Sequence, residues 1–380
     1  MASNGLRGLR IAHLIECDGP GGAERMVADL ARELQEAGAH NLVLLPANGE
    51  GWVAQQLAGS GVAIEYFRLD RPVSFKCARW LTAVFRRYRI ALAHCHEFSM
   101  AVYGAWAAWQ AGVPHVVTMH GGRYYAHRLR RRVALRAAIA LGGRIVAVSH
   151  ELARQLRRDL WLPASRITTI TNGVRYVPAA RSTLREELNL ASEDRLVLAV
   201  GNLYPVKGHR FAVEALALLR ERHPNVYLAI AGRGETAEAL RTQAEELGVA
   251  RRLHLLGLRE DVANVLAGAD VFVLPSLSEG LPLALLEAML SGCPIVASDV
   301  GEVRNVLADG EAGVLVPAGD APALATALDK LLAAPTCARE LATRASRRAS
   351  LEYHISRMVA RYADVYDSLL HQRGAVTAAR

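Results

Sequence analysis

From Ile11 to Val316 the chain alternates strand-length apolar, β-branched runs with longer amphipathic stretches. That rhythm is the signature of repeated βα units, in which each strand is buried beneath helices as part of a parallel sheet. The spacing predicts strands over Ile11–Ile15, Asn41–Leu45, Ala63–Phe67, Leu92–Cys95, His115–Met119, Ile145–Val148 and Ile167–Ile170, with helices such as Ala23–Ala37 and Ser99–Gly112 between them. The pattern breaks over Tyr176–Arg181, a short segment containing Pro178, and restarts at Leu196–Val200. Further strands are expected over Val226–Ile230, Leu253–Leu256, Val271–Leu274, Pro294–Ala297 and Gly313–Val316.

The 380 residues exceed one ordinary core and suit two α/β domains, 1–176 and 177–350. Ile355, Met358, Val359, Tyr362, Val365 and Leu369 recur at helical spacing within Ser350–Leu370, so residues 351–380 are read as a closing helix that packs back towards the N-terminal domain. At 52% hydrophobic and 22% charged residues the composition is globular, and the apolar runs fall far short of the roughly 20 residues of a membrane-spanning helix. The N-terminal residues lack the apolar stretch of a secretory signal, so a cytoplasmic chain is expected. Five scattered cysteines, none in a C-x-x-C pair, indicate reduced thiols rather than a disulfide framework or zinc site. The net charge of +8 favours an anionic partner without choosing among nucleic acid, phosphorylated substrate and acidic membrane.

In open parallel sheets ligands bind beyond the carboxyl ends of the strands, where glycine-rich turns lead into helix N-termini. After the first strand, Glu16–Glu24 contains Gly19, Gly21 and Gly22, which let backbone amides approach an anion, although the same glycines also suit a plain βα turn. After the first strand of the second domain, Gly201–Gly208 places Lys207 at a helix entrance, where a cation meets a diphosphate; a lysine before a glycine is also a common solvated residue. Residues 271–287 read as a buried strand, a loop ending at Glu279, and a helix that Pro282 can start. Glu279 caps that helix or binds a ligand. Glu287 is a charge within an apolar helical segment and needs a partner.

Together these residues resemble the retaining glycosyltransferases of family 4, which have the GT-B fold: two Rossmann-like domains with parallel sheets facing across a cleft. The resemblance covers the Gly21–Glu24 turn, Met119-His-Gly, Asn172-Gly-Val, the Lys207-Gly turn, Ala231-Gly-Arg-Gly, and Glu279 and Glu287 in an E-x7-E arrangement. It implies that Glu287 binds ribose and Glu279 the donor sugar, while Lys207 meets the diphosphate. Gly280, Leu281 and Pro282 are implied to offer amides, Gly21 and Gly22 to lie beside the diphosphate and acceptor, and His120 to lie near the transferred sugar. Lys207, Glu279 and His120 are thus the implied catalytic residues. The family commonly has an arginine where Asn202 stands, and Arg233, in the Gly232–Gly234 turn, is the candidate substitute. The nucleotide-diphosphate sugar is a substrate, UDP-sugar favoured and GDP-mannose next, and no cofactor is expected. The lack of a D-x-D signature points to metal-independent transfer, and His94 and His96 show no third ligand in the sequence.

Near His120 the sequence clusters Tyr124, Tyr125, Arg128, Arg131 and Arg132, a basic and aromatic mixture suited to an anionic membrane surface and a lipid-linked or glycan acceptor. The plainer reading is a solvated basic helix. No nucleic-acid module accompanies it. A small soluble acceptor and a sugar-nucleotide 2-epimerase are the alternatives on the same fold, while a Rossmann dehydrogenase is disfavoured because Asp18-Gly-Pro-Gly-Gly-Ala lacks the full glycine fingerprint.

Overall fold

The computed structural model describes residues 6–69, 74–121, 126 and 128–378, with side chains to residue 372. The chain divides into two compact units, residues 1–173 with 355–380, and residues 174–354. In the first unit the strands are β1 (Arg10–Leu14), β2 (His40–Pro46), β3 (Ala63–Phe67), β4 (Leu92–His96), β5 (His115–Met119), β6 (Arg144–Ala147) and β7 (Ile167–Thr169). They form one parallel sheet in the order β3-β2-β1-β4-β5-β6-β7. In the second unit β8 (Arg195–Val200), β9 (Val226–Ala231), β10 (Leu253–Gly257), β11 (Val271–Leu274), β12 (Ile295–Ser298) and β13 (Val314–Val316) form a parallel sheet in the order β10-β9-β8-β11-β12-β13.

Every predicted strand is present, displaced by at most a residue or two at its ends, because runs such as Val271–Leu274 are buried on both faces. On one face of the first sheet Ala12, Leu14, Ala93, Cys95 and Val117 pack against the helices Phe75–Arg87 and Glu97–Ala111. On the other, Ile11, Leu92, Val116 and Val146 meet Met26, Leu30 and Leu34 of the helix Gly22–Glu36 and the apolar stripe of the last helix. That stripe holds all six residues expected from its spacing and adds Tyr366.

Two boundaries differ from the sequence expectation. The first unit ends at Gly173 rather than Tyr176, because the Val174 N–H donates to the Tyr353 carbonyl at 2.9 Å and both side chains lie in the second unit's core. The same contact interrupts the expected closing helix. Residues 350–352 finish the helix Pro335–Glu352, and the last helix runs Ile355–Ala378.

The sites at the strand ends of the second sheet are set by close backbone approach. A Cβ on Gly232 would sit 1.9 Å from the Gly201 carbonyl oxygen, and one on Gly208, at φ +64°, 2.1 Å from that of Pro275. Side chains at these positions would push apart the turns after β8, β9 and β11. Gly22 has open space around its Cβ direction and ordinary backbone. Gly232→Ala is therefore expected to destabilise the protein by about 1–3 kcal/mol in urea unfolding, as overpacking does, while Gly22→Ala changes stability by well under that.

Candidate active site

In each sheet the strand order reverses at the centre, between β1 and β4 and between β8 and β11. Connections leaving those neighbouring strands run in opposite directions and open a crevice at their carboxyl ends. In the second unit the turn after β8 forms a single helical turn, Pro205–Lys207, followed by the helix His209–Leu219. The loop after β11 carries Ser276 and Glu279. Lys207 Nζ lies 2.8 Å from Glu279 Oε1, and the Ser276 hydroxyl donates to the same oxygen at 2.7 Å. The two residues that the sequence assigns to diphosphate and sugar are thus one ion pair, with the Glu279 side chain 8% exposed and that of Lys207 28%.

Behind the loop the helix Leu283–Ser291 starts at Pro282 and carries Glu287, only 4% exposed. The buried charge lies close enough to Tyr176 to raise its phenol, after the larger effect of burial. Pro282 corrects one expectation: it has no N–H, so it cannot offer an amide. Gly301, at φ +55°, lets the next loop close on this one, where Glu302 N–H donates to the Gly280 carbonyl at 3.2 Å. Arg233 is exposed, and its carbonyl accepts from Leu203 N–H at 2.9 Å, so the Gly232–Gly234 turn lies beside Asn202.

In the first unit Gly21 caps and Gly22 begins the helix Gly22–Glu36. Asp18, buried just before it, accepts from the N–H groups of Gly51 at 3.0 Å and Val53 at 2.7 Å, which pins the glycine turn to the start of the helix Trp52–Gln56. His120 follows β5; its N–H donates to Glu97 Oε1 at 2.9 Å, and its Nε2 lies 3.4 Å from His96 Nδ1. Burial pushes the His120 ring down to about 4, so it is neutral near pH 7.

Residues 20–176 match the family model described as Glycosyltransferase Family 4, and residues 180–350 that described as Glycosyl transferases group 1. The phosphatidyl-myo-inositol mannosyltransferase of Mycolicibacterium smegmatis is 32% identical over 93% of this chain and 91% of its own length. The UDP-Gal:alpha-D-GlcNAc-diphosphoundecaprenol alpha-1,3-galactosyltransferase of Escherichia coli is 30% identical over 65% of this chain and 68% of its own. The chain belongs to glycosyltransferase family 4. Its fold matches that of Anabaena HepE, solved in complex with UDP, at a TM-score of 0.82 and 22% identity over 95% of this chain and 100% of that one. This family-4 enzyme is a glycosyltransferase with two Rossmann-like α/β units of the GT-B kind.

The basic face of the glycosyltransferase departs in part from its sequence reading. Tyr124 and Tyr125 lie outside the described residues. Arg128 caps the helix Leu129–Ala140. Arg132 is turned to a structural task, donating to the Asp159 carbonyl at 2.8 Å and lying over the Trp161 ring at 5.0 Å. Arg136 likewise donates to the carbonyls of Leu160 and Trp161, so both cap the end of the helix His150–Leu160. Arg131 stays half-buried and engaged. Arg128 and Arg130 are exposed, as are the apolar side chains of Leu129, Val133 and Trp161.

A third histidine also joins the pair flagged in the sequence. His13 on β1 is in register with His94 on β4, and nitrogens of His13, His94 and His96 lie within 4.8 Å of one another. The rings crowd together, however, with 4.1 Å between the centroids of His94 and His96 and their planes tilted by 35°. Both His94 nitrogens are engaged, one with Tyr366 and one with Thr118, each at 2.7 Å.

Burial pushes His13, His115, His120 and His209 down to about 4 and His94 and His96 well below the ordinary 6.5. The unfolded chain therefore binds more protons than the folded one as pH drops below 6.5, and stability is lost towards pH 4. Asp18, Glu24 and Glu97, raised chiefly by burial, act in the opposite sense but are fewer. Urea unfolding is expected to give a clearly lower stability at about pH 5 than at about pH 7; equal stabilities would contradict neutral burial of these rings.

Proposed function

We propose that this glycosyltransferase moves a hexose or N-acetylhexosamine from a nucleotide-diphosphate sugar, a UDP-sugar first and GDP-mannose next, to a hydroxyl of a lipid-linked or glycan acceptor. The observation that carries the reading is the Lys207–Glu279 pair at the β8/β11 reversal, backed by the buried Glu287. A diphosphate arriving at the entrance of the helix His209–Leu219 takes over Lys207 as its cation and frees Glu279 for sugar hydroxyls. Glu287 accepts the ribose hydroxyls. As the glycosidic bond breaks, charge develops on the leaving diphosphate, where Lys207 and the helix N-termini oppose it. Transfer proceeds with retention, the diphosphate taking the proton of the incoming hydroxyl on the same face, and neither an enzyme nucleophile nor a metal is assigned. His120 is read as the neutral histidine beside the transferred sugar, and Arg233 as the replacement for an arginine at Asn202.

A lipid-linked acceptor is favoured by the acceptors in the names of the Escherichia coli and Mycolicibacterium relatives. It is also favoured by the solvent-facing combination of Leu129, Val133 and Trp161 with Arg128 and Arg130, a surface suited to acidic headgroups at the cytoplasmic face of a membrane. Among the described residues no helix is long and apolar enough to cross a membrane. Such an enzyme acts in cell-surface polysaccharide or glycolipid synthesis.

Two outcomes follow. With the donor identified by a nucleotide-sugar screen, Lys207→Ala is expected to lower kcat about 10²–10³-fold, the usual loss of a group that stabilises developing charge, while excess EDTA leaves the wild-type rate unchanged. Loss of activity in EDTA would remove metal independence. In flotation assays the protein is expected to bind vesicles increasingly with anionic lipid and less with salt, and Val133→Asp to weaken that binding; binding indifferent to both leaves the soluble acceptor as the reading to pursue.

A further inference from the structure

The junction of β4 with the helix Glu97–Ala111 makes two separate contacts with His120, the residue that follows β5. Glu97 has φ +62°, a left-handed backbone that is strained for any residue with a Cβ and is ordinarily given to glycine. Its carboxylate accepts the His120 N–H at 2.9 Å, so the strained backbone aims a side chain that a glycine would lack. The preceding residue, His96, is fully buried; its ring stacks on that of His120 with 26° between the planes and centroids 5.6 Å apart. His96 Nδ1 faces His120 Nε2 at 3.4 Å, while His96 Nε2 is buried without a hydrogen-bond partner.

That orphan nitrogen decides the proton arrangement. A buried N–H without an acceptor is the rarer and costlier outcome, so His96 leaves a bare lone pair at Nε2 and carries its proton on Nδ1. Nδ1–H then donates to His120 Nε2, which keeps the His120 proton on Nδ1. The other side of the His96 ring packs against the tilted ring of His94, whose nitrogens are fixed by Thr118 and Tyr366, and Thr118 lies 3.1 Å from the Tyr362 hydroxyl. Burial keeps the rings neutral, and Glu97 is pushed up to about 7 by burial and by the charges of Glu24 and Glu16.

We propose that His96 and Glu97 are positioning residues for His120: His96 fixes its tautomer through the ring, and Glu97 fixes its backbone through the N–H. The proposal rests on the reading of His120 as the histidine beside the donor sugar. Neither residue touches substrate in this account; both act by presenting His120 Nδ1–H, rather than a bare nitrogen, to the sugar.

The test uses the full chain with selectively labelled histidine and the donor from the screen. Long-range nitrogen–proton NMR of the wild type is expected to show His120 as the Nδ1–H tautomer. His96→Ala is expected to give a mixture of tautomers and a kcat about tenfold or more lower, with the donor KM within about twofold, since orientation rather than binding is lost. His96→Asn, whose amide N–H stands close to the imidazole Nδ1–H, is expected to restore most of both. Glu97→Ala is expected to speed deuterium exchange of the His120 amide and to lower kcat, and Glu97→Gln, which retains a carbonyl acceptor, to recover most of that loss. A wild-type rate in His120→Ala overturns the reading of His120. An inactive His120→Ala together with a wild-type kcat and unchanged His120 tautomer in His96→Ala overturns the positioning proposal alone. Should His96→Ala fail to fold, the Asn variant and the Glu97 pair decide: equal kcat and equal amide exchange in Glu97→Ala and wild type overturn it.

Discussion

The reversal of strand order at the centre of each sheet is the constraint on which the site depends. A parallel strand needs a crossover helix to reach its neighbour, and crossovers leaving β8 and β11 go to opposite sides of the sheet. The backbone turns away on both sides, so the carboxyl ends of these strands are left uncovered by their own connections. Lys207 and Glu279, 72 residues apart in sequence, meet at 2.8 Å because their strands are adjacent at that point. The first sheet repeats the geometry between β1 and β4, and its glycine turn, Glu97 and His120 collect at the equivalent ends.

Close backbone approach then fixes what the reversal opens. Gly208, Gly232 and Gly301 each sit where a Cβ would fall about 2 Å from a carbonyl oxygen of another turn. The loops after β8, β9, β11 and β12 are therefore locked against one another, which fixes the backbone positions from which the side chains of Lys207 and Glu279 meet. Rigidity of this kind suits stabilisation of a leaving group, since donors that need no reorganisation lose least in use.

Much of this was legible in the sequence because it is local. Strands buried on both faces read as continuous apolar runs, and the alternation with amphipathic stretches fixed the fold class. Glu287 stood out because a charge within an apolar helix needs a partner, whereas Lys207 and Glu279, equally open to a solvated or a capping role, were singled out by the resemblance to the family-4 pattern. What remained hidden depends on which strands become neighbours. His13 joins His94 only through the β1–β4 register, and Glu97 reaches His120 only through β4 and β5. Arg132 reads as a surface cation until Asp159 and Trp161, almost 30 residues later, are seen beneath it. That the first compact unit ends three residues earlier, at Gly173, depends on the pairing of Val174 with Tyr353, which is invisible in local pattern.

The central claim, that the buried acid behind the Lys207–Glu279 pair serves a nucleotide-sugar donor, is tested most directly by calorimetric titration of nucleoside diphosphates into the wild type and Glu287→Ala. The account predicts that one nucleoside diphosphate binds the wild type and binds the variant about 10–100-fold more weakly, the usual loss of a hydrogen bond to a charged group, with the fold unchanged by circular dichroism. Equal affinities in the two proteins, or no binding of any nucleoside diphosphate to the wild type, would contradict it.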